Sequence, residues 1–257
     1  MYRIALMSVV MAIPVMAEEP ISTFEVDFDT EPRGPMPPAI AALLFGPLEW
    51  ESLNERARIV EVPNGGRALK VIYPKDAYRS ERSGSSFVTK LKPTRKASLE
   101  YTFRFGPDFP FTKGGKLPGL GAGGSQFTGG RSPDESGGWS ARFMWRREGE
   151  LELYFYHPKM KSKYGESHLL GIKCEPEVDY RIRLEIDAGD AGKANGNLEV
   201  FLNGESRLKL DDLLLSGDKY GPVDSFLFST FFGGNSKDWG PERDGVIWFD
   251  ELVFGSR

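Results

Sequence analysis

Four side chains able to act on an anionic molecule occupy alternate positions in two short runs of the sequence. They are Ser140 with Arg142, and Tyr154 with Tyr156. Side chains two residues apart in a strand share a face, so each pair points the same way. A guanidinium binds a carboxylate through two parallel hydrogen bonds, and a phenol can accept or donate a proton. This combination could bind and chemically attack an acidic polymer; the alternative is an ordinary solvated sheet face.

A hairpin over Trp139–His157 is predicted to position these groups. Apolar and polar residues alternate in both halves of the segment, and the intervening turn ends at Gly149, which can adopt the left-handed conformation of a three-residue loop. In that register Arg142 lies opposite Tyr154, and the serine lies opposite the second tyrosine. All four groups are then within side-chain reach on one face.

The rest of the chain predicts an all-β protein. Short alternating runs are separated by turn-rich stretches, which favours two packed antiparallel sheets. Short helices are predicted within Pro32–Pro47 and Asp211–Leu215, and Asn203-Gly204 predicts a hairpin turn. The predicted strands are Phe24–Asp29, Ala68–Tyr73, Ser98–Phe105, Ser140–Trp145, Leu151–Tyr156, Tyr180–Asp187, Leu198–Leu202, Ser225–Phe232 and Val246–Phe254.

A glycine-rich stretch precedes the hairpin, from Lys113 to Gly124. A phosphate-binding loop needs Gly-Lys followed by Ser or Thr, whereas Lys116 is followed by Leu-Pro, so a nucleotide site is excluded. We expect a loop that wraps over a groove and directs the ammonium of Lys116 at an acidic group. The alternative is a solvated loop lysine.

The N-terminus has the layout of a secretory signal peptide. One Arg precedes an apolar run that ends near Ala17, and this run is too short to span a bilayer, which argues against a membrane anchor. We therefore expect residues 1–17 to be removed and residues 18–257 to form one secreted or periplasmic domain. The net charge of −4 does not exclude an anionic ligand, because only the local groove must be positive.

Cysteine and histidine are too scarce for several kinds of site. Cys174 is the single cysteine, so an internal disulfide is impossible, and no catalytic motif surrounds it. His157 and His168 are the only histidines, which excludes a site built from several histidines.

Four motifs together resemble polysaccharide lyase family 14, the alginate and polyglucuronate lyases with a concanavalin-like β-jelly roll. The motifs are K-L-P-G-L at Lys116, W-S-A-R-F-M-W-R from Trp139, L-Y-F-Y from Leu153, and F-S-T-F-F-G-G-N-S-K-D-W over Phe228–Trp239. The resemblance implies catalytic roles for Lys116, Ser140, Arg142, Tyr154 and Tyr156. Some relatives carry a histidine in the loop before the Ser-x-Arg strand. Here Gly129–Gly138 has none, so a tyrosine must do more of the proton transfer.

Other residues are candidates for binding the polymer. Arg79 and Arg82 could meet further carboxylates, or could be ordinary exposed arginines. Gln126 could bond to a sugar hydroxyl. Asn235, Lys237 and Trp239 could form a subsite in which the indole stacks on a sugar ring, the alternative for Trp239 being core packing.

Acidic residues on the first and last strands could hold a structural calcium. Jelly-roll relatives often bind calcium where the termini pair, and oxygen ligands suit this ion. Asp250 is the main candidate, with Asp27, Asp29 and Glu251 nearby in the predicted sheet. Charged strand edges explain the same residues equally well.

The sequence thus predicts a lyase that cleaves alginate or glucuronan by β-elimination, a carbon–oxygen lyase reaction. Arg142 and Lys116 would neutralise the uronate carboxylate, and Tyr156 would act as base or acid. The alternative is a non-catalytic carbohydrate-binding module on the same sandwich, because fold does not determine function. We expect a monomer that binds an acidic polysaccharide, with no nucleic-acid or membrane partner and no cofactor required for catalysis.

Overall fold

The computed structural model of the protein describes residues 19–63, 65–134 and 138–256. Helix α1 is Pro38–Phe45, and short 3-10 turns cover Gly124–Phe127, Arg147–Gly149 and Lys237–Trp239. The strands in chain order are β1 (Thr23–Val26), β2 (Gly34–Pro35), β3 (Leu48–Ser52), β4 (Ala57–Glu61), β5 (Arg67–Tyr73), β6 (Ser85–Thr94), β7 (Lys96–Phe105), β8 (Gly115–Ala122), β9 (Trp139–Trp145), β10 (Glu150–Tyr156), β11 (Glu166–Lys173), β12 (Asp179–Asp187), β13 (Gly196–Leu202), β14 (Glu205–Leu213), β15 (Val223–Thr230) and β16 (Gly245–Ser256).

These strands form two sheets that pack face to face. One is seven-stranded, in the order β11-β10-β9-β8-β15-β6-β3. The other is nine-stranded, in the order β14-β13-β12-β7-β16-β5-β4-β2, with β1 added on β16. Aromatic rings join the two sheets: Phe228 of β15 stacks on Phe87 at 4.8 Å and meets Phe249 of β16 at 5.2 Å. The predicted antiparallel sandwich of the jelly-roll class is confirmed.

Strict alternation in the hairpin divides its side chains between the core and the outside. Leu151, Leu153 and Phe155 of β10 belong to the core between the sheets. Tyr154 and Tyr156 point to the opposite face, where they form a separate small cluster with Met144. The outer face of the seven-stranded sheet therefore receives the chemically active side chains.

Most of the predicted elements are confirmed. The predicted hairpin register is observed, and the turn closes through left-handed Gly149 with a φ of 80°. The helix predicted within Pro32–Pro47 is α1, and Asn203-Gly204 does form a turn between β13 and β14. The helix predicted at Asp211–Leu215 is wrong: β14 continues to Leu213, because pairing with β13 satisfies its backbone.

The prediction that Lys116 lies on a loop is also wrong. The glycine-rich stretch forms β8, a central strand paired with β9 and β15. A Cβ on Gly119 would lie 2.0 Å from the carbonyl oxygen of Ala141, so the glycine permits close approach of the two backbones. The register shifts by one residue between Leu117 and Gly119, and this bulge accommodates Pro118 within the sheet.

The first and last strands pair as predicted, because β1 is hydrogen-bonded to β16. The predicted signal peptide, residues 1–17, lies outside the described residues. Within the described ranges, no helix is long and apolar enough to cross a membrane. Cys174 is buried, and burial raises the pKa of its thiol to about 12, as expected of a packed side chain.

Candidate active site

A cleft of about 990 Å³ crosses the outer face of the seven-stranded sheet. It contains most of the residues that the sequence singles out. The predicted site residues that line it are Arg79, Lys116, Arg142, Tyr154, Tyr156, Asn235 and Trp239. The two strands of the hairpin and the neighbouring β8 form its centre.

Cross-strand pairing brings the central groups together. Arg142 of β9 lies opposite Tyr154 of β10, and on its other side it lies opposite Gly119 of β8. Lys116 lies opposite Met144, one position along the same face of β9. The bulge in β8 makes both relationships possible, because it places Lys116 and Gly119 on the same face although they are three residues apart.

Arg142 is a buried cation with free hydrogen-bonding capacity. Its residue is 3% exposed, and its Nε and Nη2 atoms have no hydrogen-bond partner among the described residues. Burial lowers the pKa of Arg142, while Tyr156 and Tyr154 oppose that shift. A guanidinium stays protonated in proteins, so Arg142, which lines the cleft, keeps unused donors. These donors suit a planar carboxylate.

Lys116 lies beside Arg142 and is also buried. Its Nζ donates to the sulfur of Met144 at 2.6 Å and lies 3.5 Å from the centre of the Tyr154 ring. A thioether is a weak acceptor and offers no compensating charge. Burial, then the charges of Arg142 and Arg146, lower the pKa of Lys116 well below its usual value. The cleft therefore favours the neutral amine more than water does.

The two tyrosines differ in their surroundings. Their rings meet edge to face with centroids 5.5 Å apart. Burial raises the pKa of Tyr154, and its hydrogen bond with Tyr156 raises it further, so Tyr154 remains a phenol and a donor. The hydroxyl of Tyr156 accepts a hydrogen bond from the N–H of Gly130 at 3.0 Å. The loop before β9 thus supplies a backbone donor to this oxygen.

Ser140 has a different position from the other four. It lies opposite Tyr156 as predicted, but it is fully buried, and its hydroxyl donates to the carbonyl oxygen of Phe127 at 2.6 Å. Ser140 does not line the cleft. This contact ties the 3-10 turn at Gly124–Phe127 to the end of β9, so the serine positions the loop that carries Gly130.

Residues 62–252 match the model of the family described as Polysaccharide lyase 14. The chain belongs to polysaccharide lyase family 14. This match confirms the resemblance that the four motifs indicate, and it makes the protein a polysaccharide lyase. A search of curated protein sequences found no match.

Solved structures share the fold of this family 14 lyase. Alginate lyase Aly36B superposes with a TM-score of 0.80 at 22% identity, covering 93% of this chain and 98% of that one. The marine PL-14 alginate lyase from Aplysia kurodai superposes with a TM-score of 0.79 at 22% identity, covering 93% of this chain and 100% of that one. The endo-β-1,4-glucuronan lyase from the fungus Trichoderma reesei superposes with a TM-score of 0.61 at 13% identity, covering 92% of this chain and 96% of that one. At these identities the likeness establishes the jelly-roll fold.

The predicted polymer-binding residues of the lyase separate into two groups. Arg79 and Asn235 lie together on the cleft wall, where a guanidinium nitrogen of Arg79 is 3.4 Å from the Asn235 carbonyl oxygen. Trp239 lines the cleft and packs on Gly234, where an added Cβ would lie 2.1 Å from the indole. The other three lie outside the lining: Arg82 sits 6.0 Å from the Tyr78 ring, Gln126 accepts a hydrogen bond from Tyr220 at 2.8 Å, and Lys237 is exposed.

The cleft also contains residues that the sequence analysis missed. Arg146 forms an ion pair at 2.6 Å with Glu152, which is buried, and Arg131 and Trp50 line the walls. Arg146 continues the alternation of Arg142 along β9, so strand periodicity could have identified it. Trp50 lies on β3, a strand that the sequence reading did not predict.

The acidic residues of the paired termini accept hydrogen bonds from backbone N–H groups. No group of three or more Asp, Glu, His or Cys in the described ranges is arranged to hold an ion. Oδ1 of Asp29 accepts the N–H of Arg67 at 2.6 Å, and Oδ1 of Asp250 accepts the N–H of Glu251 at 2.8 Å. Burial, then the charges of Glu251, Asp29 and Asp27, raise the pKa of Asp250 to about 6. A structural calcium at Asp250 stays a prediction.

Proposed function

We propose that the protein is a secreted lyase that cleaves an acidic polyuronate, alginate or glucuronan, by β-elimination. Membership of family 14 supports the reaction class, and neighbours described as alginate and glucuronan lyases support the substrate class. A variant of Aly36B was crystallised with an alginate tetrasaccharide. The observation that carries the proposal is the buried guanidinium of Arg142, which has unused donors beside Lys116 and two phenols.

Arg142 is proposed to hold the carboxylate of the uronate at the cleavage point. The base removes the proton on C5, the electron pair forms the C4–C5 double bond, and the C4–O4 bond breaks. Negative charge builds on the carboxylate during this step, so a two-pronged donor contributes more in the transition state than in the ground state. Water is largely excluded from Arg142, which strengthens that interaction.

Tyr156 is proposed to transfer the proton, and Tyr154 to assist it. Tyr156 has its oxygen held by Gly130 N–H, while the raised pKa of Tyr154 suits it to donating hydrogen bonds. The loop Gly129–Gly138 has no histidine, so imidazole chemistry from that loop is unavailable in this chain. The leaving O4 takes up a proton from a phenol, which balances the proton removed from C5.

Lys116 is proposed to change its charge when substrate arrives. Its pKa is lowered by burial and then by the charges of Arg142 and Arg146, with Glu152 opposing them. A uronate carboxylate placed between Lys116 and Arg142 would reverse this effect and favour the ammonium. The free enzyme thereby avoids two adjacent buried positive charges, and the complex gains a second cation on the carboxylate.

An absorbance assay tests the reaction directly. Elimination leaves an unsaturated uronate that absorbs in the ultraviolet, so alginate rich in mannuronate, alginate rich in guluronate, and glucuronan are each incubated with the purified protein. We expect absorbance to rise with at least one of them. Binding of these polymers without any rise would favour the non-catalytic carbohydrate-binding module instead.

The export prediction needs a separate measurement. Mass spectrometry of the exported protein should show a chain that lacks residues 1–17, because their charge and apolar layout match a signal peptide. An intact Met1 on the exported form would contradict this part of the proposal and leave the reaction unaffected.

A further inference from the structure

A straight row of cross-strand neighbours leads from the catalytic centre to the edge of the seven-stranded sheet. Each member is the direct pairing partner of the next, and all except the glycine line the cleft. From β10 to β3 the row is Tyr154, Arg142, Gly119, Leu227, Val88 and Trp50. Four strand spacings separate Arg142 from Trp50, or about 19 Å. This distance is long enough for several linked sugar rings.

Trp50 ends this row as an exposed indole on an edge strand. It is 40% exposed, whereas Val88 and Leu227, which continue the apolar row across β6 and β15, are almost fully buried. Charges or proline on edge strands normally prevent pairing with another chain, so an exposed aromatic side chain that lines a cleft requires an explanation. The positions between Arg142 and Trp50 carry no charge, so this part of the row is suited to sugar rings rather than to carboxylates.

A parallel row of hydroxyls accompanies this apolar row. Ser86 of β6 lies opposite Ser229 of β15, and both line the cleft. Ser86 is 1% exposed, and its Oγ has no hydrogen-bond partner in the described part of the chain. A buried hydroxyl is normally bonded, so this one keeps unused hydrogen-bonding capacity beneath the floor of the cleft. Trp50 is the member of this end of the row that presents an accessible apolar face, which matches the C–H face of a pyranose ring.

We propose that Trp50 is a distal sugar-binding platform, on which a pyranose ring of the polymer stacks several residues from the cleavage point. The polymer would lie across the strands, along the row that starts at Arg142. This inference rests on the proposed function, because it takes the substrate to be a polyuronate.

Steady-state kinetics on substrates of different length test the platform. Trp50→Ala is compared with Trp50→Phe and with Trp248→Ala. Trp248 is a matched control, because it is partly exposed on the outer face of the nine-stranded sheet, between Lys70 and Arg104. We expect Trp50→Ala to raise KM for long polyuronate roughly 5- to 30-fold, the loss of one aromatic contact, with kcat unchanged. A trisaccharide, too short to reach Trp50 from Arg142, should be unaffected.

The controls make the outcome decisive. Trp50→Phe should keep most of the affinity, and Trp248→Ala should match the wild type. An unchanged KM for the polymer, or an equal rise for polymer and trisaccharide, would overturn the platform while leaving the lyase activity established. If the wild type cleaves no polyuronate, the proposed function fails, and quenching of tryptophan fluorescence by alginate and glucuronan oligosaccharides then decides. Because Trp239 also lines the cleft, wild type and Trp50→Phe are compared in a Trp239→Phe background. Quenching of equal size with and without Trp50, or no quenching at all, overturns the inference.

Discussion

Cations on the outer faces of the two sheets differ in their exposure and in their ion pairing. On the nine-stranded sheet, Arg181 lies 2.9 Å from Glu100, and that carboxylate is also directly opposite Arg183. The Arg181 side chain is 47% exposed, whereas Arg142 in the cleft is 3% exposed. Neither Arg142 nor Lys116 forms an ion pair with a carboxylate in the part of the chain that the structure describes. Exposed Arg181 is thus paired with a carboxylate, and buried Arg142 is not.

The two faces differ in what a charge costs the protein. An exposed ion pair contributes only about 0–1 kcal/mol to stability, so the nine-stranded face gains little from its charges. A buried charge without a partner is costly, and a protein keeps one where function needs it. The cleft does contain an internal pair, Arg146 with Glu152, so carboxylates are compatible with the sheet face. This contrast supports the proposal that Arg142 binds a carboxylate of the substrate.

The largest effect is expected from Tyr156→Phe. This change keeps the ring and removes only the hydroxyl, so turnover should fall by about 10²–10⁴ with folding intact. Tyr180→Phe on the nine-stranded sheet is the matched control, because the Tyr180 hydroxyl also accepts a backbone N–H, from Glu175 at 2.8 Å. Steady-state kinetics measure the turnover of each variant, and circular dichroism checks that its fold is intact. Near-normal turnover of Tyr156→Phe would move the proton transfer to Tyr154 or to Lys116.

Replacing the buried guanidinium should separate activity from stability. Arg142→Ala should lower turnover by about 10²–10³, and Arg142→Lys should restore part of it, because an ammonium cannot bind a carboxylate bidentately. Arg142→Met should have a melting temperature equal to or above that of the wild type, since it removes an unpaired buried charge. Arg181→Ala should leave turnover unchanged. A large loss of stability in Arg142→Met would show that other groups in the folded protein stabilise the charge of Arg142.

Lys116 should make substrate binding depend on pH. Its pKa is lowered by burial and by neighbouring charges and would rise beside a bound carboxylate, so binding takes up a proton. Affinity should then fall as pH rises between those two pKa values, by up to about tenfold per pH unit. Calorimetry with an oligouronate in buffers of different ionisation enthalpy measures the uptake, with Tyr156→Phe as background to prevent cleavage.

Two variants assign that proton. Lys116→Arg should abolish the uptake, because a guanidinium does not titrate in this range. Lys173→Arg should retain it, since Lys173 is an exposed lysine already paired with Glu148. Equal proton uptake by all three proteins would remove Lys116 from the linkage.

The smallest effect is expected far from the cleft, at Asp250. Its pKa is about 6 in the folded protein against a usual 3.8, so the folded state binds more protons between these values. Stability should therefore fall as pH rises from about 4 to about 6, and Asp250→Asn should remove that fall. Asp218→Asn, at an exposed aspartate, should leave the profile unchanged. Thermal melts across this pH range test both.

The same melts examine calcium. If Asp250 helps to bind the ion, added calcium should raise the melting temperature at pH 7, and the asparagine variant should lose that response. An unchanged melting temperature after chelation, with no metal on the purified protein, would reject the calcium prediction and leave the pH effect in place.

Local patterns in the sequence determined the hairpin and most of its chemistry. Alternation has a period of two, so the shared face of Arg142, Tyr154 and Tyr156 follows from their spacing and from the turn at Gly149. The same rule indicated an all-β sandwich, because many short alternating strands need a second sheet to cover them. These inferences required only neighbours along the chain or across one tight turn.

Long-range pairing decided the rest. β8 looks like a loop in sequence, since glycine and proline disfavour strands, and only the close approach of β9 explains Gly119. The hydroxyl of Ser140 bonds to the loop carbonyl of Phe127 rather than facing the cleft. The row from Arg142 to Trp50 joins strands that are distant in sequence, so no local pattern could predict it. Whether a cation is paired or unpaired also depends on partners brought together by folding, which is why charge counts could not reveal the free guanidinium.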